Sequence, residues 1–369
     1  MNRNGQTMKI NKIFKNQYEC KQISSGNNFP SINIEENNLK EVCILLHNKI
    51  SVDNIIMYFN WSKKEMYNKL EILLKEELIK NNIDNQYIPN CMIISLEEGK
   101  NLYKQTEKFI NKVVRLIENK INEIKLKTYS IESFRNFSFE SLSLFILSDV
   151  ILDFIQIDNV EKYFLRSNRT RRNDSNYYYS IQEKKKNDEN EALGIYGNMY
   201  RNYGEIAYGL YGNKRKGINF HTIDSSTLNE YFKNISMNRI DRVKEYLLQE
   251  LVKLYKNDKY KIDENLEMGF NKLGIMSGKK ICIPVLNKKE YYKLYDIAEI
   301  IKEDYIEIFE NGRSELYNNY QKSSYFEEVT FEEYFIWWYH IFYSRVTDVL
   351  IARGTIKKQE SDNFSYLVI

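Results

Sequence analysis

The residue types best suited to chemistry lie at the start of a predicted helix near residue 62. Ser62 and Glu65 have the spacing of a capping box, in which each residue accepts a hydrogen bond from the backbone N–H of the other. The polar side chains on the outer face of this helix are Lys63, Lys64, Tyr67 and Asn68. Asparagine can bond adenine through two hydrogen bonds, lysine can reach guanine or phosphate, and a helix N-terminus favours phosphate. The pattern predicts a helix that reads the major groove of DNA, although the same face could be solvated or could contact a protein.

Two shorter helices precede this one and must position it. Residues 39–46 and 52–59 each place apolar side chains on one helical face, and a turn at 60–61 separates the second from the third. A polar turn at 81–86 follows, next to short strand-like segments, and a long helix is predicted from about residue 97 to 127. The residues after the third helix that would add contacts to a bound duplex are Lys80, Asn82, Asn85 and Gln86.

Residues 39–127 resemble the winged helix-turn-helix regulators of the MarR and PadR type. The stretches that carry the resemblance are KEVCILLHNKISVDNIIMYFNWSKKEMYNKLEILLKEELIK and MIISLEEGKNLYKQTEKF. The resemblance implies a winged helix-turn-helix at 39–96, binding of double-stranded DNA and regulation of transcription. Because members of this family often dimerise through flanking helices, it also implies a homodimer formed through the helix at 97–130. The apolar face of that helix exceeds what a small winged unit can cover, which favours the same interpretation.

The composition limits the possible classes of protein. The chain has 369 residues, which suggests two or three domains, and only 3 Pro and 14 Gly, which argues against a many-stranded barrel or sandwich. Its 30 Tyr and 14% aromatic content exclude general disorder. The net charge of +3 is too small to indicate a nucleic-acid partner by itself.

Cysteine use and hydropathy predict a cytoplasmic location. The 4 cysteines show no CxxC spacing, which is typical of a reducing compartment. The N-terminus is polar, so no signal peptide is expected. The most apolar stretch, 331–352, contains charged residues that make it a poor membrane span, and we therefore expect no membrane partner.

A basic loop in the middle of the chain forms a possible second contact with nucleic acid. Its arginines are Arg166, Arg169, Arg171 and Arg172. Tyrosines follow at 177–179, and aromatic side chains beside basic ones are typical of nucleic-acid platforms, although only Tyr177 and Tyr179 would share one face of a strand. The alternative is a solvated loop beside a half-buried strand. Segments 176–182 and 192–196 are predicted to pair as a β-hairpin, with further strands at 205–211 and 218–223.

Histidine and cysteine chemistry is sparse. His47 is expected to be structural or exposed. His221 and Asp224 offer a base and a carboxylate, but they would point to opposite faces of a strand, and Asp224 is equally suited to cap a helix. Cys43 and Cys91 could approach each other as a thiol sensor or serve as small buried hydrophobes. The sequence shows neither metal-ligand spacing nor a nucleotide-cofactor fingerprint, so we predict no metal and no cofactor.

The apolar helix predicted at 331–352 has two possible roles. A helix that is apolar on nearly every side is typical of a protein core. Its aromatic side chains could instead form the wall of a ligand pocket. The residues of that possible pocket are Trp337, Trp338, His340 and Arg345.

Together these patterns predict an α+β fold, mainly α, with a small antiparallel sheet in its C-terminal domain. The predicted segments are an arm at 1–38, a winged helix-turn-helix at 39–96, a connecting helix at 97–130 and a sensor or interaction domain at 131–369. The expected function is a sequence-specific DNA-binding transcriptional regulator whose C-terminal domain senses a small-molecule or protein effector. The alternatives are a protein-interaction module that docks a protein or peptide on the winged helix, and an enzyme with an appended winged helix.

Overall fold

A computed structural model describes residues 3–24, 28–166, 168–184, 195–213, 232, 240–257, 259–358 and 363–369. Helix accounts for 55% of the chain and strand for 18%, so the predicted mixed class with mainly helix is confirmed. None of the helices in the described residues combines the length and the apolar character that crossing a membrane requires. The strand predicted at 218–223 lies outside the described residues, as do His221 and Asp224.

The α-helices are interrupted by two π-helical segments and one short 3-10 turn. The α-helices are α1 (Arg3–Ile13), α2 (Leu39–His47), α3 (Val52–Phe59), α4 (Lys63–Lys75), α5 (Leu96–Gln105), α6 (Glu107–Thr128), α7 (Phe139–Leu144), α8 (Gln156–Asn159), α9 (Ile240–Lys256), α10 (Glu264–Lys272), α11 (Lys288–Ala298), α12 (Lys302–Gln321) and α13 (Phe331–Ala352). The 3-10 turn is Glu132–Phe134, and the π-helical segments are Phe145–Phe154 and Val160–Leu165.

The strands form several small sheets. They are β1 (Gln17–Ser24), β2 (Ile79–Asn81), β3 (Tyr87–Pro89), β4 (Met92–Ile94), β5 (Arg171–Arg172), β6 (Ser175–Lys184), β7 (Tyr196–Tyr203), β8 (Ile206–Asn213), β9 (Met276–Ser277), β10 (Lys280–Ile281), β11 (Val285–Leu286) and β12 (Asn363–Val368). One sheet has the order β1-β6-β4, with β5 also paired to β6, and another has the order β11-β12-β8-β7. Two-stranded pairs are β2 with β3 and β9 with β10.

The chain divides into two compact units, and each collects three separate stretches of sequence. The first unit contains residues 1–111, 160–194 and 306–342, and the second contains 112–159, 195–305 and 343–369. Each unit therefore contains residues from before and after residue 130. The boundaries of the units differ from those of the segments 39–96, 97–130 and 131–369 that the sequence suggests.

In the first unit, three short helices lead into the β2–β3 hairpin. Helix α3 begins at the Ser51 cap, and α4 begins at Ser62 with the predicted capping box. The buried faces of α2, α3 and α4 meet in one apolar core, to which Val42, Ile55 and Met66 contribute. The order of helices and hairpin follows the sequence prediction for 39–89.

Strand β6 is the central strand of the first unit. It pairs antiparallel with β1, so that Cys20 lies opposite Ile181, and parallel with β4, so that Ile93 also lies opposite Ile181. The predicted hairpin of 176–182 with 192–196 is therefore wrong. The residues from Tyr177 to Gln182 are buried on both faces, which is typical of a central strand, and their partners are distant in sequence.

In the second unit, β8 lies between β7 and β12 and is buried along its whole length. A Cβ atom at Gly209 would collide with the Tyr366 ring on β12, so a glycine is needed at this crossing. The apolar core on one side of the sheet joins Leu210 to Leu247 of α9 and Phe270 of α10. Two short strands, β10 and β11, lie on either side of Pro284 and belong to different sheets.

The long helix predicted at 97–127 is two helices. It breaks at Thr106, whose buried hydroxyl donates a 2.7 Å hydrogen bond to the Tyr103 carbonyl. Many apolar side chains of α6, including Ile110, Val113 and Ile117, are buried within the single chain, whereas Leu126 is 77% exposed. The homodimer through this helix stays a prediction.

Candidate functional site

The N-terminus of α4 is fixed by its capping box and by the turn before it. The Ser62 hydroxyl accepts from the Glu65 N–H at 3.2 Å, and the Glu65 carboxylate accepts from the Ser62 N–H at 2.7 Å. Both hydrogen bonds lower the pKa of Glu65, and the bond from the Ser62 backbone has the larger effect. The Trp61 ring stacks on Phe59 with centroids 4.3 Å apart, and the Lys69 ammonium lies 4.6 Å from the Trp61 ring centre. The start of α4 is thereby held in one orientation.

The outer face of α4 carries polar side chains that have no partner within the protein. Lys63, Lys64, Tyr67 and Asn68 are exposed, Tyr67 at 54%. In the described part of the chain, none of the four makes a side-chain hydrogen bond or an ion pair. This face is therefore free to contact a partner through two cations, a phenol and an amide.

The hairpin beside α4 presents fewer contacts than its sequence suggests. The Asn82 side-chain oxygen accepts from the Gln86 N–H at 2.8 Å, so Asn82 holds the turn. Asn85 has a left-handed backbone with φ of 57°, and Asn85 and Gln86 are exposed. The apolar side chain of Ile83 is fully exposed at the tip.

Lys80 is half-buried on β2. Burial lowers its pKa, while the charges of Glu328 and Glu333 act in the opposite direction. Its contact with DNA stays a prediction.

Arg172 is an interior residue and a correction to the predicted basic loop. Its guanidinium pairs with the Glu333 carboxylate, and both side chains are fully buried. It also donates to the Tyr177 carbonyl at 2.9 Å, and Glu333 accepts from the Tyr179 N–H at 3.2 Å. Burial lowers the pKa of Arg172, but the charge of Glu333 outweighs this effect and raises it.

The other three arginines of the loop are all paired with carboxylates. The ion pairs are Arg166 with Glu310 at 2.7 Å, Arg169 with Glu161 at 2.9 Å and Arg171 with Asp174 at 3.1 Å. Only Arg166 and Arg171 among the four have mostly exposed side chains. Tyr177 and Tyr179 share a face as predicted, with ring centroids 6.1 Å apart, but 177–179 are all buried and form no aromatic platform.

His47 lies at the end of α2 in a buried cluster of charges. Its Nδ1 is 2.8 and 2.9 Å from the two Glu328 carboxylate oxygens, and its Nε2 is 3.7 Å from Glu98. Burial lowers the pKa of His47, but the two carboxylates outweigh burial and raise it to about 10. Burial raises the pKa of Glu98, yet His47 and Ser324 lower it to about 2. His47 is thus a structural cation.

The predicted pocket at 331–352 is part of the core instead. Trp337 and Trp338 are fully buried, and the centroid of the Trp338 ring lies 5.3 Å from that of the Phe109 ring. The Nδ1 of His340 donates a 2.8 Å hydrogen bond to the Ile336 carbonyl, and burial lowers the pKa of His340 to about 4. Since a carbonyl oxygen only accepts, Nδ1 carries the proton. Arg345 belongs to the second unit and is half-buried.

The second unit holds a polar cluster that the sequence reasoning missed. It is built on the buried π-helical segment, which places Asp149 and Asp153 four residues apart. The Asn198 amide donates to both Asp149 carboxyl oxygens at 2.8 Å, and the Ser148 hydroxyl is 2.6 Å from the Tyr211 hydroxyl. The sequence contains a signal for this cluster, because two acidic residues within the apolar run FILSDVILDF are unusual.

Both acids of this cluster have raised pKa values, which favours their protonated forms. Burial raises the pKa of Asp153 to about 7, against the effect of a hydrogen bond from Tyr343. Burial, together with the neighbouring Asp153 charge, raises the pKa of Asp149 well above its usual value. A protonated carboxyl group can donate a hydrogen bond as well as accept one, so the polar groups of this cluster can form their hydrogen bonds with one another without a nearby cation.

No family model, curated protein or solved structure matches this chain.

Proposed function

We propose that residues 39–96 form a winged helix-turn-helix and that the chain is a sequence-specific DNA-binding regulator of transcription. Helix α4 would lie in the major groove, with the β2–β3 hairpin as the wing beside it. The observation that carries the proposal is the outer face of α4, where a capped helix start presents lysine, tyrosine and asparagine side chains with no partner among the residues that the structure describes.

The dimensions and chemistry of α4 fit this role. A helix of 13 residues is roughly 20 Å long, and the major groove, about 12 Å wide, admits an α-helix. Lys63 and Lys64 would neutralise phosphates, and Asn68, one turn further on, would face base edges. Asn82 holds the hairpin turn and Lys80 is half-buried, so the proposed contact residues are Ser62, Lys63, Lys64, Tyr67, Asn68, Asn85 and Gln86.

The proposal is tested by selecting bound sequences from random double-stranded DNA and measuring affinity against salt concentration. Lys63→Glu combined with Lys64→Glu should weaken binding at least tenfold and reduce the salt slope by about two, because two phosphate contacts are lost. The matched control is Lys279→Glu with Lys280→Glu, an adjacent exposed pair in the second unit. Equal binding by the test and control variants would reject α4 as the DNA contact.

A second candidate function, docking of a protein or peptide, is favoured by apolar side chains on the same surface. Ile83 is fully exposed at the hairpin tip, and Ile72 and Leu74 on α4 are 39% and 37% exposed. The wing at 81–86 also has no arginine or lysine. Docking predicts binding that depends on Ile83 and little on salt, whereas DNA binding predicts the reverse.

A further inference from the structure

A cavity of about 1010 Å³ lies within the first unit, apart from the outer face of α4. Its walls come from α1, β1, the end of α2, α5 and the end of α12. The volume is at the upper end of the range that small-molecule sites occupy, and the cavity is open to solvent on one side. Neither this cavity nor its lining is needed for the proposed contact with DNA.

Two of the acidic residues that line the cavity are engaged by the protein itself. Glu98 caps α5 at the Ser95 N–H and pairs with His47. Glu183 accepts a 2.7 Å hydrogen bond from the Asn16 amide and a 2.8 Å bond from the Leu96 N–H. Their negative charge is therefore largely compensated inside the wall.

The cations around the cavity are not compensated in this way. Lys12, Lys104 and Lys322 line it from three different elements and are exposed. Across the described ranges these three lysines make no ion pair. The further acidic side chain in the lining is Glu97, so the wall presents a surplus of positive charge to whatever occupies the cavity.

Amide groups on α5 add directional hydrogen bonding. Asn101 and Gln105 lie one helical turn apart and both line the cavity. The Gln105 side-chain oxygen accepts a 2.8 Å hydrogen bond from the Tyr334 hydroxyl, which leaves its NH₂ group to donate. Leu102 and Tyr18 provide apolar and aromatic surface beside them.

We propose that this cavity binds a nucleotide. The phosphates would lie among Lys12, Lys104 and Lys322, and the hydrogen-bonding edge of the base would meet Asn101 and Gln105. Three uncompensated cations select an anion of high charge, and two amides beside apolar surface select a flat polar ring. A nucleotide combines both features in one molecule of suitable size.

The test is calorimetric titration of the full chain with ATP and GTP, with adenosine and inorganic pyrophosphate as partial ligands. At least one nucleotide should bind, and both adenosine and pyrophosphate should bind at least tenfold more weakly. Lys12→Gln, Lys104→Gln and Lys322→Gln combined should weaken nucleotide binding at least tenfold. The matched control, Lys272→Gln, Lys279→Gln and Lys280→Gln combined, should leave it unchanged.

Three outcomes would overturn the proposal. Absence of binding by both nucleotides, or equal binding by the two triple variants, would reject the cavity as a nucleotide site. Pyrophosphate binding as tight as that of a nucleotide would reject the contact with the base. The Lys63→Glu, Lys64→Glu variant should retain full nucleotide affinity, which separates this proposal from the one concerning DNA.

Discussion

Glu333 in the first unit and Asp149 in the second are both fully buried carboxyl groups, but their partners differ in charge. Glu333 lies against the Arg172 guanidinium. Asp149 lies against the neutral amide of Asn198, with the second acid Asp153 nearby on the same π-helical segment. The first unit therefore buries a pair of opposite charges, whereas the second buries acids whose raised pKa values favour their protonated forms.

The comparison shows how the partner decides the protonation state of a buried acid. An isolated buried carboxylate is strongly disfavoured, so the group either gains a cation or takes up a proton. The first solution makes each partner indispensable to the other, because removing one leaves an uncompensated charge. The second makes the acid replaceable by a neutral isostere but sensitive to rising pH.

The largest effect is expected when the buried pair is broken in the first unit. Glu333→Gln leaves the Arg172 cation buried without a charge partner and should lower the free energy of unfolding by about 3–5 kcal/mol. All three tryptophans, Trp61, Trp337 and Trp338, belong to this unit, so urea unfolding followed by tryptophan fluorescence reports on it.

The control for this prediction removes both charges. Glu333→Leu combined with Arg172→Met should recover much of the lost stability, since neither residue is then left as an unpaired charge. A loss below about 1 kcal/mol for Glu333→Gln would contradict the ion pair.

The second prediction concerns the pH dependence of the second unit. The pKa of Asp153 is raised to about 7, so the folded state holds a proton that the unfolded state releases near pH 4. Its contribution to stability therefore falls as pH rises, by about 2–3 kcal/mol between pH 5 and pH 8. Asp153→Asn should reduce this dependence by that amount, as measured by hydrogen exchange of residues 196–213 at the two pH values, while the contribution of Asp149 remains.

The matched control for Asp153→Asn is Asp84→Asn, an exposed residue of the hairpin in the first unit. It should leave the pH dependence at 196–213 unchanged. A wild-type protein as stable at pH 8 as at pH 5 in that segment would mean that Asp153 is ionised throughout.

Within the first unit, the same reasoning separates two histidines. His47, with a pKa of about 10, should remain charged at pH 8, and its stabilisation, complete below pH 6.5, is lost as pH rises towards 10. His340, with a pKa of about 4, should be neutral at pH 6, and the fold loses stability as pH falls from 6.5 to 4. Nitrogen chemical shifts of the imidazole rings, assigned with His47→Gln and His340→Gln, measure both states directly.

Local features of this fold could be predicted from the sequence. The capping box at Ser62 depends on a few adjacent residues and was predicted as found. The break at Thr106 was missed because the apolar periodicity continues through it. The partner of β6 was also missed, because β1 lies more than 150 residues away and adjacent segments of similar composition suggested a hairpin.

The candidate site shows the same limit. The outer face of α4 could be predicted because an amphipathic helix defines its own exposed side. The position of Arg172 could not, because an arginine is buried only where a carboxylate distant in sequence pairs with it, here Glu333. In the second unit, β7 and β8 each contain the sequence Tyr-Gly-Asn, and the two copies lie opposite each other. Asn198 from the first copy and Tyr211 from the second contribute side chains to the polar cluster.

The smallest effect is expected for Asp149→Asn, the substitution that most resembles Glu333→Gln. Asp149→Asn converts a buried acid to its amide, as Glu333→Gln does, but no cation loses its partner. Because Asp149 already holds its proton, the variant should change stability by less than about 1 kcal/mol at pH 5 and should be more stable than the wild type at pH 8. A loss of several kcal/mol at pH 5, measured by exchange at 196–213, would show that Asp149 is an ionised group with an essential charge. The stability changes of Glu333→Gln and Asp149→Asn together then decide whether the buried acid depends on a charged partner in the first unit and on a neutral partner in the second.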